Sequence, residues 1–92
     1  MNTSPNNQSL LLLDMNEAYF RETTDLGLAA ALCALNFKLA YLDRSKDKSF
    51  FGFQDINDVE GEMKKYEDRK LLVEPQKFLE SLSALKIRIY GQ

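Results

Sequence analysis

The stretch Thr23-Thr24-Asp25-Leu26-Gly27-Leu28-Ala29-Ala30-Ala31-Leu32-Cys33-Ala34-Leu35-Asn36 decides the fold. Its first three side chains carry oxygens that accept hydrogen bonds from the free N–H groups at a helix start, so Thr24 or Asp25 is expected to cap a helix. Leu26 to Leu35 is apolar nearly all round, which predicts a helix buried on most sides, with Ala and Gly letting its neighbours approach closely. Asn36 suits the left-handed position just past a helix. The rest of the chain must therefore wrap this helix.

Working outward, Ala18 to Glu22 reads as a short strand before it. After it, Phe37 to Asp43 alternates, with Phe37, Leu39 and Tyr41 on one face and Lys38, Ala40 and Leu42 on the other. Lys48 to Gln54 is aromatic and β-prone. The polar Arg44-Ser45-Lys46-Asp47 between the two has the length of a hairpin loop, so the pair should be antiparallel. Asp55 is expected to open a second helix with Ile56, Val59, Met63 and Tyr66 striping one face. Lys70 to Val73 offers a fourth short strand. Glu74-Pro75 then starts a last helix, with Pro at its favoured first position, Phe78, Leu79, Leu82, Leu85 and Ile89 along one side, and Gly91 at its end. That helix needs a sheet face to bury Phe78, Leu82 and Leu85, while Lys77, Glu80 and Lys86 mark its outer face. The fold class is α+β: a small antiparallel sheet packed by helices, in the order β-α-β-β-α-(β)-α, ferredoxin-like or RRM-like at most.

Ninety-two residues hold one core, so residues 10–92 are expected to form a single α+β domain. Residues 1–9 have no apolar side chain after Met1 and are expected to be a disordered polar tail. Twelve basic residues against fourteen acidic ones leave a net charge of −2, too balanced for nonspecific binding of duplex DNA. There is no His and only one Cys, which excludes His-based acid/base chemistry, Cys/His zinc sites and an intrachain disulfide. No cofactor and no catalysis are expected. The run Leu10 to Leu13 is too short to span a membrane and has no Lys or Arg before it. No membrane association is therefore expected, and a lone Cys33 fits the reducing cytoplasm.

An aromatic–Arg–x–Thr–x–Asp start (Phe20-Arg21-Glu22-Thr23-Thr24-Asp25) leads into an Ala-Ala-x-Leu helix, followed by Phe51-Gly52-Phe53 with Asp55, and by Val73-Glu74-Pro75 with Phe78 and Leu82-Ser83-Ala84-Leu85-Lys86. Over about Tyr19 to Tyr90 this resembles a family of short phage and bacterial proteins known only as a domain of unknown function. The resemblance implies no activity and no catalytic residues. It implies an accessory role around the nucleic-acid or defence machinery of mobile elements.

Each candidate site has a structural explanation to beat. Thr23, Thr24 and Asp25 could hold an anion at a helix N-terminus, but capping needs these same residues and Asp25 would repel an anion. Asp55, Asp58, Glu60 and Glu62 are spread around a helix and lack a calcium-loop glycine pattern. Cys33 in an apolar helix is an inert core thiol. Lys64-Lys65 and Arg69-Lys70 are ordinary solvated charges. Interaction surfaces remain. Leu10, Leu11, Leu12 and Leu13 either pack on their own domain, as a short helix or an added strand, or form an exposed patch for self-association or a protein partner, and a protein-binding module could equally expose its apolar surface along the last helix. The aromatics of the sheet, Tyr19, Phe20, Phe50 and Phe51, with Arg44 and Lys48, could instead stack and hold single-stranded RNA or DNA. Adjacent Phe50 and Phe51 must point to opposite faces, so one of them packs under the helices. The expected function is a small non-catalytic protein-interaction or regulatory accessory subunit, with nucleic-acid binding as the alternative.

Overall fold

A computed structural model describes residues 19–45 and 47–91. The elements are β1 (Phe20–Thr23), α1 (Leu26–Ala34), β2 (Leu39–Asp43), β3 (Phe50–Gln54), α2 (Val59–Glu67) and α3 (Pro75–Tyr90). The strands form one sheet in the order β1-β3-β2, antiparallel at both pairings. This is the expected α+β class, with three strands and three helices. The polar tail, Leu10 to Leu13 and Lys46 lie outside the described residues.

Local chemistry sets α1 as its sequence dictates. Asp25 is the cap, its Oδ1 accepting from the Leu28 N–H at 3.1 Å, while Thr23 Oγ1 accepts from the Asp25 N–H at 3.0 Å. Asn36 takes the left-handed conformation with φ 74°. That turn lets the Asn36 and Phe37 N–H groups close onto the carbonyls of Cys33 and Leu32 at 2.9 and 3.0 Å, satisfying two orphan acceptors of the helix end.

The second helix starts later than expected. Asp55 does not cap it, because its N–H bonds to the Tyr19 carbonyl and extends the β1–β3 ladder. Its carboxylate lies 3.0 Å from Arg21 Nε, an ion pair whose N–H is not aimed at the oxygen. Asp58 is the cap, in the left-handed region at φ 58°, accepting from the Gly61 N–H at 3.2 Å. Ile56 falls outside the helix and is exposed. Arg21 also reaches Glu60 at 2.9 Å, so one guanidinium ties β1 to the first turn of α2. Arg69 at φ 61° ends α2 with the same kind of turn as Asn36, and the Lys70 N–H bonds back to the Lys65 carbonyl at 2.8 Å.

That closure bears on the proposed fourth strand, which does not form: Lys70 to Val73 pairs with no strand. Lys70 is still tied to the helix behind it, and Glu74 already caps the helix ahead, accepting from the Lys77 and Gln76 N–H groups at 2.7 and 3.2 Å. Too few residues are left between these two commitments to form a ladder.

The core joins Leu28, Ala29, Ala30 and Leu32 of α1 to Phe51 and Phe53 of β3, Val59 of α2 and Leu85 of α3. Each large side chain buried there contributes about 1.5–3 kcal/mol. The last helix packs chiefly on α1 and not, as expected, on a face of the sheet. Leu79, expected on its inner side, is 58% exposed. Cys33 is half-buried, and burial pushes its thiol pKa up, with Arg88 opposing in part.

Candidate functional site

Two surfaces carry side chains that the core does not use. The first is the outer face of the sheet. Phe51 and Phe53 point to the helices, so strand alternation places Phe50, Gly52 and Gln54 on the outer side of the central strand. Phe20 and Glu22 of β1 share that side, opposite Gln54 and Gly52.

β2 departs from the expected alternation. Leu39 pairs with Phe53 but Tyr41 pairs with Gly52, so Ala40 is an extra residue that makes a bulge. The bulge keeps Leu39 and Leu42 half-buried on the inner side and turns Tyr41 to the outer one. Phe37, Leu39 and Tyr41 therefore do not share a face. The Tyr41 ring lies flat over Gly52, where any Cβ would collide with it. Its hydroxyl crosses the central strand to donate to Glu22 Oε2 at 2.7 Å, and Phe20 packs edge-on against the ring at 5.8 Å. Burial, the hydrogen bond to Glu22 and the charges of Glu22 and Asp43 push the Tyr41 pKa up to about 12.

The residues expected to grip a single strand are not gathered here. Phe51 is 1% exposed, a core residue that no base can reach, because the alternation that frees Phe50 buries it. Phe20 lies opposite Gln54 and Phe50 opposite Asp43, so they stand about 13 Å apart along β3. The ring between them, Tyr41, is already stacked on the backbone of Gly52. Arg44 spends its guanidinium on the Ile89 carbonyl at 2.9 Å, at the C-terminal end of α3. Arg44 and Lys48 line a shallow cleft of about 560 Å³ with Asp47, Thr24 and Tyr90, away from Phe20. Glu22 and Asp43 put two carboxylates on the outer face itself. Tyr19 precedes β1 and is exposed.

The helix-cap region is accounted for by structure. Tyr66 donates to Asp25 Oδ1 at 3.3 Å, reaching the start of α1 across Gly27, where a Cβ would sit only 2.8 Å from the phenol oxygen. Burial, then the Asp25 charge and hydrogen bond, raise the Tyr66 pKa. Among the described residues, no group of three or more His, Cys, Asp or Glu is arranged to hold a metal ion, and no helix is long and apolar enough to cross a membrane.

The second surface is the outer face of α3. Phe78, Leu82, Leu85 and Ile89 recur at spacings of four, three and four and pack against the core. A second row, Leu79, Ser83, Ile87 and Tyr90, runs beside it at spacings of four, four and three, and all four are exposed. Leu79, Ile87 and Tyr90 are 58%, 68% and 74% exposed, and Leu72, three residues before the helix, is 86% exposed. Single exposed apolar residues are ordinary, but an aligned row of three on one helix is not. The last helix was one of two places where exposed apolar surface was expected, but Ile87 and Tyr90 were not named and Leu79 was expected on the inner side. The signal for this row was present in the spacing, since Leu79, Ile87 and Tyr90 cannot share the stripe set by Phe78, Leu82 and Leu85.

No curated protein and no solved structure matches the chain. The family model described as a domain of unknown function, DUF5659, matches residues 17–91, which begin just before β1, end just after α3 and leave Leu10 to Leu13 outside. With that match spanning every described element, the chain belongs to the DUF5659 family.

Proposed function

We propose that this chain is a small, non-catalytic accessory subunit of the cytoplasm that works by binding protein through the outer face of α3. One observation carries the reading: the aligned and exposed Leu79, Ile87 and Tyr90, beside a core stripe that is already satisfied. A helix presenting apolar residues at such spacings is a common means of docking into another protein's groove or helix.

Single-stranded nucleic acid is the weaker reading for a physical reason. Its binding needs free rings and a cationic track, and each stacked ring is worth about 1–3 kcal/mol per base. Here the central ring is held on Gly52 by Glu22, and the adjacent charges on that face are acidic.

The test compares three forms of the full chain as bait, with and without nuclease: the parent, Leu79→Glu/Ile87→Glu on the helix, and Phe20→Ala/Phe50→Ala on the sheet. Circular dichroism checks that each is folded. Support is a protein that binds the parent and the sheet variant but not the helix variant, whether or not nuclease is present. Retention by the helix variant with loss from the sheet variant would overturn the reading. So would saturable low-salt binding of labelled single-stranded RNA or DNA that Phe50→Ala abolishes.

A further inference from the structure

The open edge of β1 carries hydrogen-bonding groups that the described fold leaves unused. The Asp55 N–H bonds to the Tyr19 carbonyl, so Tyr19, Arg21 and Thr23 hold the hydrogen-bonded positions of the β1–β3 ladder. Phe20 and Glu22 alternate with them and direct their N–H and C=O groups away from β3, out of the sheet edge. Among the described residues, no other strand or turn takes up these four groups.

The two edges of the sheet differ. β2 is blunted by the bulge at Ala40, whereas β1 pairs without a bulge and has no proline. Nor do its charges guard it, because Arg21 is engaged by Asp55 and Glu60, and Glu22 by Tyr41. On the helix side, Thr23 at the end of β1 borders a shallow cleft of about 760 Å³ lined by Leu28, Tyr66 and Leu71, with Glu67 and Arg69. A strand added here therefore meets Phe20 on one face and an apolar-walled cleft on the other, and needs apolar side chains on both.

One run outside the described residues has that pattern, and it stands just upstream. Leu10-Leu11-Leu12-Leu13 matches the four residues of β1 in length and is apolar at every position, as a strand covered on both faces must be. Laid antiparallel with Leu13 opposite Phe20 and Leu11 opposite Glu22, it brings Asp14 opposite Tyr19. Met15-Asn16-Glu17-Ala18 is then left as a four-residue hairpin loop. Leu11 and Leu13 exchange main-chain bonds with Glu22 and Phe20, while Leu10 falls beside Thr23 on the side of the cleft. A second copy of β1 fits the edge poorly. The register that uses the outward groups of both Phe20 and Glu22 sets Phe20 against Glu22 and Arg21 directly against Arg21, a like-charge pair.

We propose that Leu10 to Leu13 add a fourth strand to the open edge of β1 of their own chain, in that register. The inference goes beyond the reading of α3 as the contact surface and does not depend on it.

NMR of the full chain tests the pairing. Leu12 with Arg21, and Leu10 with Thr23, become non-hydrogen-bonded pairs whose Cα atoms lie about 4.5 Å apart, so their α protons should show cross-strand NOEs. The amides of Phe20 and Glu22 should exchange with solvent roughly tenfold more slowly than in Leu11→Pro, which has no N–H to give the Glu22 carbonyl. The same Cα spacing lies within the roughly 4.4–6.8 Å that a disulfide needs. In a Cys33→Ser background, Leu10→Cys/Thr23→Cys should therefore close a bond within one chain under mild oxidation and run as a monomer on a non-reducing gel.

Helical NOEs through Leu10 to Leu13 overturn the proposal, as do Phe20 and Glu22 amides that exchange equally fast in the parent and in Leu11→Pro. So does a Leu10→Cys/Thr23→Cys protein that stays reduced, or one that crosslinks only between chains, which assigns the edge to a second copy. If Leu11→Pro does not fold, the NOEs of the parent and the disulfide decide.

Discussion

Replacing Gly52 by Ala should destabilise the protein only because Tyr41 is there. Gly52 has no unusual backbone angle, so alanine would ordinarily favour the strand by about 0.5–1 kcal/mol. Here its methyl would occupy the space of the Tyr41 ring, and the ring must lift. Lifting breaks the 2.7 Å bond to Glu22, worth about 1 kcal/mol at an exposed site, and the edge contact with Phe20, worth about 0.5–1 kcal/mol. The net expectation is a loss of about 1 kcal/mol, or roughly 4–8 °C in the melting temperature of a domain this size. In a Tyr41→Ala background the same substitution should stabilise, since nothing is left to displace. Urea unfolding of the parent, the two single variants and the double variant gives the coupling, provided the m value is constant across the set. A Gly52→Ala protein at least as stable as the parent, with no reversal of sign on removing Tyr41, would refute the bulge and the ring placement derived from it.

Three further outcomes follow from the same packing. Leu32 is fully buried in the centre of α1, so Leu32→Ala should cost about 2–5 kcal/mol, and a thermal melt within a few degrees of the parent would contradict its place in the core. Asp25→Ala removes the cap of α1 and the acceptor for Tyr66 and should cost about 1–2 kcal/mol by denaturant unfolding, with Asp25→Asn recovering part of it. Tyr41, pushed up to about 12, stays protonated in the folded chain where it would ionise in the unfolded one. Above pH of about 10 the native state therefore holds more protons than the unfolded state. Stability present below that pH should fall as pH rises toward about 12, and Tyr41→Phe should remove both that share of the fall and one late step from the phenolate absorbance titration.

What was legible in the sequence is what neighbouring residues decide among themselves. Asp25, Asn36 and Glu74-Pro75 cap and close their helices through bonds spanning a few residues, so the positions of α1 and α3 could be read directly. The bulge at Ala40 could not, because its cause lies on another strand: Gly52 leaves a gap that the Tyr41 ring fills. Asp55 looked like a cap for α2 on chain position alone, but the β1–β3 ladder takes its N–H and Arg21 takes its carboxylate. The apolar side of α3 is wider than one neighbour can cover. Periodicity put Leu79 with the inner stripe, whereas the split into a stripe on α1 and a free row at Leu79, Ile87 and Tyr90 depends on how the two helices cross.

The central claim is that contact is made through α3 and not through the sheet, and site-specific photo-crosslinking in living cells tests it most directly. A benzophenone side chain is placed at position 87 in one form of the chain and at position 50 in another. The account predicts protein adducts from position 87 and no adduct of comparable yield from position 50. Adducts formed at position 50 alone, above all adducts that nuclease removes, would contradict it.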